Sequence, residues 1–402
     1  FSHYPCLRKV NRFVKEGVKM VDVQGTKYSQ APSLGALLSF IDQTDYDDMD
    51  SLKMDYRVVP RRAVTTTSHD CLRRKCPFYG TTCFVHGARR FAETADVVVT
   101  NHTLLFCDAA ADNGLLPPVR HWILDEAHGA EAEARRAFSL EIAAEDVIRL
   151  AQKVASGESR NVYARAEKKL SSSLKNDGAT LFEGLVGKAK SAGDMFAAAA
   201  HEFVPHIKDL LYFDPNKRSR NYDRTELWLN DDIRASETFG SLRTLAKAMQ
   251  VSAEKAITCS QELVGYLENI EGAAEPQREI ASVAMDLKDL VGSVEVIFGE
   301  KSDSYAYAAE LCRKKDKQTD KLEALVVNVG KALEDKLYSQ TKSVVFASAT
   351  LSIDGDFTSF KNAMGLNAGE GTRAHTCQLD SSYDFDKNMT IYVASDIPEP
   401  SD

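Results

Sequence analysis

Apolar residues recur every three or four positions through the middle of the chain. The clearest stripe, over residues 239–270, predicts an amphipathic helix of roughly thirty residues. Residues 180–211 and 277–298 have the same periodicity. The pattern therefore predicts a helical unit between about residues 140 and 300, whose apolar stripes face a core and carry no evident chemistry.

Shorter apolar runs on either side of this unit predict strands. Residues 97–99 in "ADVVVTNHTLLF" look like a buried strand, and so do residues 122–124 in "HWILDEAH". Both runs end in polar turns, which is typical of parallel strands whose carboxyl ends meet at one edge of a sheet. Strand-like sequence returns in "KLEALVVNVG" and "KSVVFASATLS", whereas the first ninety or so residues look irregular. We predict an α/β protein whose parallel sheet is interrupted by a long helical insert.

Composition places the chain among soluble globular proteins. Its 402 residues are 44% hydrophobic and 27% charged, enough for two or more domains. The sequence has no apolar run of membrane-spanning length and no signal-peptide pattern, so we expect a cytoplasmic protein without a membrane segment. The net charge of −9 gives no global indication of nucleic-acid binding. Such a role would depend on a local basic patch.

One local patch is strongly basic and rich in cysteine. Residues 56–90 contain eight lysines or arginines and a single acid, Asp70. Cys71, Cys76 and Cys83 lie within thirteen residues of one another inside this stretch. Clustered cysteines in a reducing cytosol indicate metal or redox chemistry rather than disulfides. The cysteines that stand singly are expected to be core or surface thiols: Cys107, Cys259, Cys312 and Cys377.

The sequence "ILDEAH" places two acids at the end of a predicted strand. Asp125 can hold magnesium through its water shell, and Glu126 can orient and deprotonate an attacking water. His128 is placed to sense or relay the state of a γ-phosphate. As an alternative, these acids could cap the start of a surface helix. The "ASAT" sequence after another strand supplies small hydroxyl residues that could hydrogen-bond the acidic box; the candidate coupling residues are Ser348, Ala349 and Thr350.

These motifs resemble those of a known family. "DEAH" and "SAT" match motifs II and III of superfamily 2 helicases, and the chain is similar to the DinG branch, which is related to the XPD-type iron–sulfur helicases. "HYPCL", the cysteine cluster, "ADVVVTNHTLLF" and "ILDEAH" follow in the order of that branch. The resemblance implies a partial RecA-like motor domain with an inserted iron–sulfur domain and a large all-helical arch domain. The implied divisions are 1–95 iron–sulfur domain, 96–138 first motor domain with the DEAH box, 139–312 arch, 313–360 first motor domain resumed with the SAT motif, and 361–402 start of the second motor domain.

The resemblance also implies a metal centre. In that family four cysteines hold a 4Fe–4S cluster, and the matching residues are Cys6, Cys71, Cys76 and Cys83. Four thiolates suit zinc as well as iron, and His69 or His86 could complete a zinc site in place of Cys6. The cluster would stiffen a small domain and give its basic residues a rigid platform for phosphates. The implied DNA-binding residues are Arg73, Arg74, Lys75, Arg89, Arg90, Asn101 and His102.

The chain departs from the family in one respect. The phosphate loop G-x-x-x-x-G-K-S/T does not occur in its 402 residues. We therefore expect it to be part of a longer ATP-dependent 5′-to-3′ DNA helicase of bacterial replication and repair, and to be inactive alone. The full protein would use ATP and Mg²⁺ and act as a monomer on single-stranded DNA and DNA junctions, near the nucleoid. The alternatives are a catalytically silent single-stranded DNA-binding module and a DinG-related nuclease.

Overall fold

The computed structural model describes residues 1–111, 115–157, 160–171, 177–215, 223–314, 319–367, 374–379 and 383–393. The helices are α1 Leu7–Lys15, α2 Ala31–Gln43, α3 Arg61–Val64, α4 Phe84–Thr94, α5 His102–Ala110, α6 Ala130–Phe138, α7 Ala144–Val154, α8 Val162–Leu170, α9 Asp177–His206, α10 Asp231–Ala235, α11 Glu237–Leu267, α12 Ala274–Phe298, α13 Val329–Lys336, α14 Thr358–Ala363 and α15 Phe385–Asn388. The strands are β1 Met20–Val23, β2 Thr26–Ser29, β3 His121–Leu124, β4 Leu140–Ala143, β5 Arg224–Trp228, β6 Tyr305–Cys312, β7 Lys321–Val326 and β8 Ser343–Phe346. Of the predicted start of a second motor domain at 361–402, residues 368–373, 380–382 and 394–402 lie outside the described residues.

Residues 1–95, here called the cysteine unit, are more regular than the sequence suggested. They form α1 to α4 and an antiparallel hairpin of β1 and β2. The unit has a small apolar core of its own, which consists of Val10, Leu37, Met49, Val58, Val59 and Val64. So small a core stabilises little, and contacts outside it must contribute to holding the unit's loops.

The long helices of the insert, residues 139–326, match the predicted stripes. Phe239, Leu242 and Met249 on α11 are buried, as the three- and four-residue spacing requires. Helices α9 and α12 pack against α11 and bury their own stripes in the same core. The helical predictions for residues 180–211, 239–270 and 277–298 are confirmed, although α11 ends at Leu267. No helix in the described ranges has both the length and the apolar character that a membrane crossing requires.

The all-helical description of the insert is wrong. Strands β4, β7, β6 and β5 form, in that order, a four-stranded antiparallel sheet. One face of the sheet packs on the helices, because Ile142, Leu322 and Leu227 are all buried in the helical core. Strand β7 belongs to this sheet, whereas the sequence had grouped "KLEALVVNVG" with the resumed motor domain. The sequence pattern did not predict this sheet, because its strands are short, its outer face is polar and the helical periodicity around it is stronger.

A second, parallel sheet carries the acidic motif. Strand β3 pairs with β8 in parallel register, from His121 opposite Ser343 to Leu124 opposite Phe346. Helices α5, α6 and α13 cover one face of the pair, with Phe106 and Leu124 in the shared core. We call β3, β8 and these helices the parallel unit. An α/β fold with a parallel sheet is thereby confirmed.

The prediction of a buried strand at residues 97–99 is wrong. These residues form no strand, and Val97 and Val99 are 78% and 92% exposed. In the described part of the chain, β3 and β8 pair only with each other. A strand is buried by its neighbours in the sheet, and residues 97–99 have no such neighbour among the described strands. Ile123 and Val345 on the uncovered face of the pair are also exposed.

We expect Gly330→Ala to destabilise the parallel unit. A Cβ at Gly330 would lie 2.4 Å from the Gly365 Cα, so backbone would have to move where α13 meets the turn after α14. Such overpacking costs about 1–3 kcal/mol and should lower the thermal midpoint followed by circular dichroism. Gly292→Ala on α12 is the matched control, because a Cβ there meets nothing within 4 Å. It should leave the midpoint unchanged or raise it. Equal midpoints for both variants would contradict the close packing.

Candidate active site and nucleic-acid interface

The acidic motif and the SAT motif meet at the carboxyl ends of β3 and β8. Beyond the strands, the Ala347 amide donates to the Leu124 carbonyl at 2.9 Å, and the Ala127 amide donates to the Ala347 carbonyl at 3.0 Å. These hydrogen bonds continue the parallel pairing by one step. They place Asp125 and Glu126 directly beside Ser348, although more than two hundred residues separate them in sequence.

Three side chains of the two motifs are in contact. The His128 Nδ1 lies 3.1 Å from the Ser348 Oγ and 3.2 Å from the Glu126 Oε2. The Ser348 hydroxyl donates a long hydrogen bond of 3.5 Å to the same carboxylate oxygen. Ala349 and Thr350 follow in the chain and are exposed. The expected contact between the two motifs is therefore present in the structure, while the catalytic and coupling roles stay predictions.

Glu126 has an unusual backbone conformation. Its φ of 49° and ψ of 43° are left-handed, which costs a non-glycine residue on the order of 1–2 kcal/mol. The Glu126 amide donates to the Asp125 Oδ1 at 3.0 Å, and the bonds of the next residue to β8 hold the turn. The Glu126 side chain in this turn is 72% exposed. Strain of this kind often lies where function requires a fixed side chain.

The four cysteines of the implied cluster all lie in the cysteine unit, near enough for their charges to influence one another. Cys6 precedes α1, Cys83 precedes α4, and Cys71 and Cys76 flank a short 3₁₀ turn formed by Arg73–Lys75. Burial raises the pKa of the Cys71 thiol, and the charges of Cys6 and Cys76 raise it further. Burial likewise raises the pKa of Cys83, and all three other cysteines add to the shift. Residues far apart in sequence thus become electrostatic neighbours.

A metal at these cysteines stays a prediction. Within the described residues, no three histidine, cysteine or acidic side chains are grouped closely enough to hold one metal ion as they stand. Of the alternative ligands, the His86 Nε2 is 3.8 Å from the Cys71 Sγ. His69 instead pairs with Asp286 of α12 at 3.1 Å, which raises the pKa of the imidazole.

A basic groove lies beside the cysteines. This cavity of about 720 Å³ separates the turn and α4 of the cysteine unit from α11 and α12 of the insert. All five basic residues predicted from this stretch line it: Arg73, Arg74, Lys75, Arg89 and Arg90. Lys75 donates to Gln277 of α12 at 3.2 Å, and Arg89 pairs with Glu93 at 3.2 Å. The groove is therefore strongly cationic, and Glu93 is the acid among its lining residues.

Asn101 and His102 lie elsewhere. The Asn101 Oδ1 accepts a hydrogen bond from the Leu104 amide at 2.8 Å and so caps the start of α5. The His102 ring lies tilted against Phe106 with centroids 6.4 Å apart. Neither residue lines the basic groove. Both side chains have a local structural role in the parallel unit, and their contact with DNA stays a prediction.

Sequence reasoning missed the ionic contact that docks the cysteine unit on the insert. Arg8 and Arg12 of α1 face Glu275 and Glu279 of α12, with Arg8–Glu275 at 2.9 Å and Arg12–Glu279 at 2.7 Å. Each pair of residues is spaced by four, so each lies on one face of its helix. That spacing is visible in the sequence, but nothing in it indicates that helices 267 residues apart are partners.

No family profile matches the chain. Over its whole length it is 24% identical to the 3′-5′ exonuclease DinG of Bacillus subtilis, covering 42% of that protein. Over 90% of its length it is 24% identical to the ATP-dependent helicase DinG of Mycobacterium tuberculosis, covering 46% of that protein. A stretch of 134 residues, 32% of the chain, is 32% identical to 20% of the ATP-dependent DNA helicase YoaA of Haemophilus influenzae.

The chain is similar to proteins named as DinG and YoaA helicases. It spans less than half the length of the relatives named above.

Proposed function

We propose that this chain is part of an ATP-dependent DNA helicase that moves 5′ to 3′. The observation that carries the proposal is the contact of Ser348 with Glu126 and His128 at the carboxyl ends of β3 and β8. Asp125 would hold Mg²⁺ through water, and Glu126 would deprotonate the water that attacks ATP. His128 and Ser348 would transmit the state of the nucleotide to β8. A phosphate loop elsewhere in the full protein would present the nucleotide.

The four cysteines are proposed to hold a 4Fe–4S cluster. Their chemistry and their mutual electrostatic influence support this ligand set. The cluster supplies a rigid cross-link between Cys6, at the start of α1, and the loop that carries the other three cysteines. Because the core of the cysteine unit is small, this cross-link would stabilise the turn at Arg73–Lys75.

The basic groove is the proposed site for single-stranded DNA, either alone or at a junction. Its five predicted basic residues lie on one side of a concave surface, as phosphate binding requires. The cysteines adjoin the groove, because Cys71 is one of the residues that line it. Loss of the cluster would therefore disturb the DNA site without touching the acidic site.

A nuclease is the second candidate, because one relative bears an exonuclease name. The chain covers 42% of that relative, so the named activity can belong to a part of it that this chain does not match. The matched stretch includes the acidic and SAT motifs, which favours nucleotide hydrolysis. A DNA-binding module without catalysis is the third candidate.

The direction of strand separation tests the proposal. We expect the full-length protein containing this chain to unwind a duplex with a 5′ single-stranded tail in the presence of ATP and Mg²⁺, and to leave a 3′-tailed duplex intact. End-labelled strands report cleavage in the same reaction. Shortened strands without ATP would favour the nuclease, and binding without unwinding or cleavage would favour the silent module.

A further inference from the structure

Arg278 of α12 completes the basic groove from the side of the insert. Its Nη2 donates to the Ser68 carbonyl at 3.1 Å, which ties α12 to the cysteine unit. Its Nε is buried and has no hydrogen-bond partner among the described residues. Arg73 is near enough for its positive charge to lower the pKa of Arg278, after the larger effect of burial. The residue is partly exposed, so an anion in the groove can form a charge-assisted hydrogen bond with the accessible part of the guanidinium, although not with the buried Nε.

The groove also contains an aromatic pair. The rings of Tyr79 and His86 pack edge to face with centroids 4.3 Å apart, and both line the groove among its cations. Both side chains are half-exposed. A half-exposed ring among arginines is a surface on which an unpaired base can stack while its phosphates meet positive charge.

We infer that the groove binds an unpaired DNA strand by stacking a base on the Tyr79–His86 pair while Arg278 binds a neighbouring phosphate opposite Arg73. This inference rests on the proposed function and adds to it how the strand is recognised. A cavity of about 720 Å³ is the size of a pocket for a small molecule, so it can hold a few nucleotides of one strand. In a duplex the base faces are covered by their neighbours and cannot stack on the pair.

Stacking is tested with an abasic strand. We expect full-chain protein, purified without oxygen, to bind an oligothymidylate of about 12 nucleotides roughly tenfold more tightly than the same strand with central abasic sites. Tyr79→Leu should remove this preference and bind both strands equally, whereas Tyr79→Phe should keep it. Tyr28→Leu is the control, because Tyr28 is an exposed tyrosine on β2 of the same unit and does not line the groove.

The phosphate contact is tested with salt. Arg278→Gln should weaken binding and flatten the slope of log affinity against log salt by about 0.7, the value for one phosphate on a single strand. Arg278→Lys should keep the slope because it keeps the charge. Lys247→Gln on α11 is the control, about 25 Å along the helix from the groove residue Val264. Equal iron content in all variants shows that the cysteine unit is intact.

The outcomes separate this inference from the proposed function. If the unaltered protein binds the strand but does not distinguish the abasic one, stacking is wrong and the DNA site stands. If Arg278→Gln lowers affinity with an unchanged slope, the residue only tethers the Ser68 loop and the phosphate contact is wrong. If the unaltered protein binds no single-stranded DNA, the proposed DNA site fails, and this inference fails with it.

Discussion

Glu126→Gln in the full-length protein should reduce ATP hydrolysis at least a hundredfold while ATP binding stays nearly unchanged. A general base contributes about 10²–10⁴ to a rate, and the amide cannot take a proton from water. It keeps the shape of the carboxylate and can still accept a hydrogen bond from Ser348. Steady-state phosphate release and binding of a fluorescent ATP analogue would measure the two effects.

Two controls define this experiment. Glu145→Gln removes an exposed carboxylate on α7, which belongs to the insert and not to the parallel unit that carries the motif, and should leave hydrolysis unchanged. The 402-residue chain alone should show no hydrolysis above background, with or without DNA, because it contains no phosphate loop. If Glu126→Gln hydrolyses ATP at the unaltered rate, Glu126 is not the general base. Turnover by the chain alone would mean that it binds the nucleotide through other residues.

Cys76→Ser should abolish both iron binding and most single-stranded DNA binding. Anaerobically purified, unaltered protein should be brown and contain about four irons per chain, as a cubane on four thiolates requires. Without one ligand the cluster should dissociate and the turn that carries Arg73 and Arg74 should become disordered. Metal analysis, visible absorbance and a DNA titration would measure these effects, and circular dichroism would check that the insert is folded. Cys107→Ser on α5, an exposed thiol outside the set, should retain iron and binding.

Removing charge should act differently from removing the metal. Replacing Arg73, Arg74 and Lys75 together with alanine should retain iron and flatten the salt slope by about 0.7 for each phosphate that is no longer neutralised. Cys76→Ser should also prevent Arg89 and Arg90 from binding phosphate, because the whole groove wall depends on the cluster. A metal analysis that finds one zinc per chain and no iron would contradict the proposed 4Fe–4S cluster. If Cys76→Ser binds single-stranded DNA with unchanged affinity, DNA binding in the groove does not depend on the cluster.

Much of the local structure and both motifs could be predicted from the sequence. The stripe on α11 repeats at the helical period, so Phe239, Leu242 and Met249 fall on one buried face whatever they pack against. The apolar run before Asp125 ends in acids, which indicated a strand with a polar carboxyl end. Acids and small hydroxyl residues after two such strands were sufficient to expect the contact of Glu126 with Ser348.

The elements that could be predicted from the sequence alone are those whose buried face repeats at their own helical or strand period, together with the residue types of the motifs. The antiparallel sheet of the insert, the exposure of residues 97–99 and the contact of Arg278 with the cysteine unit became evident only in the folded chain. Those features depend on pairing between segments distant in the chain, such as β4 with β7. The local sequence does not identify such a partner, because strand burial and ion pairing depend on which distant segments of the chain pack next to the residue.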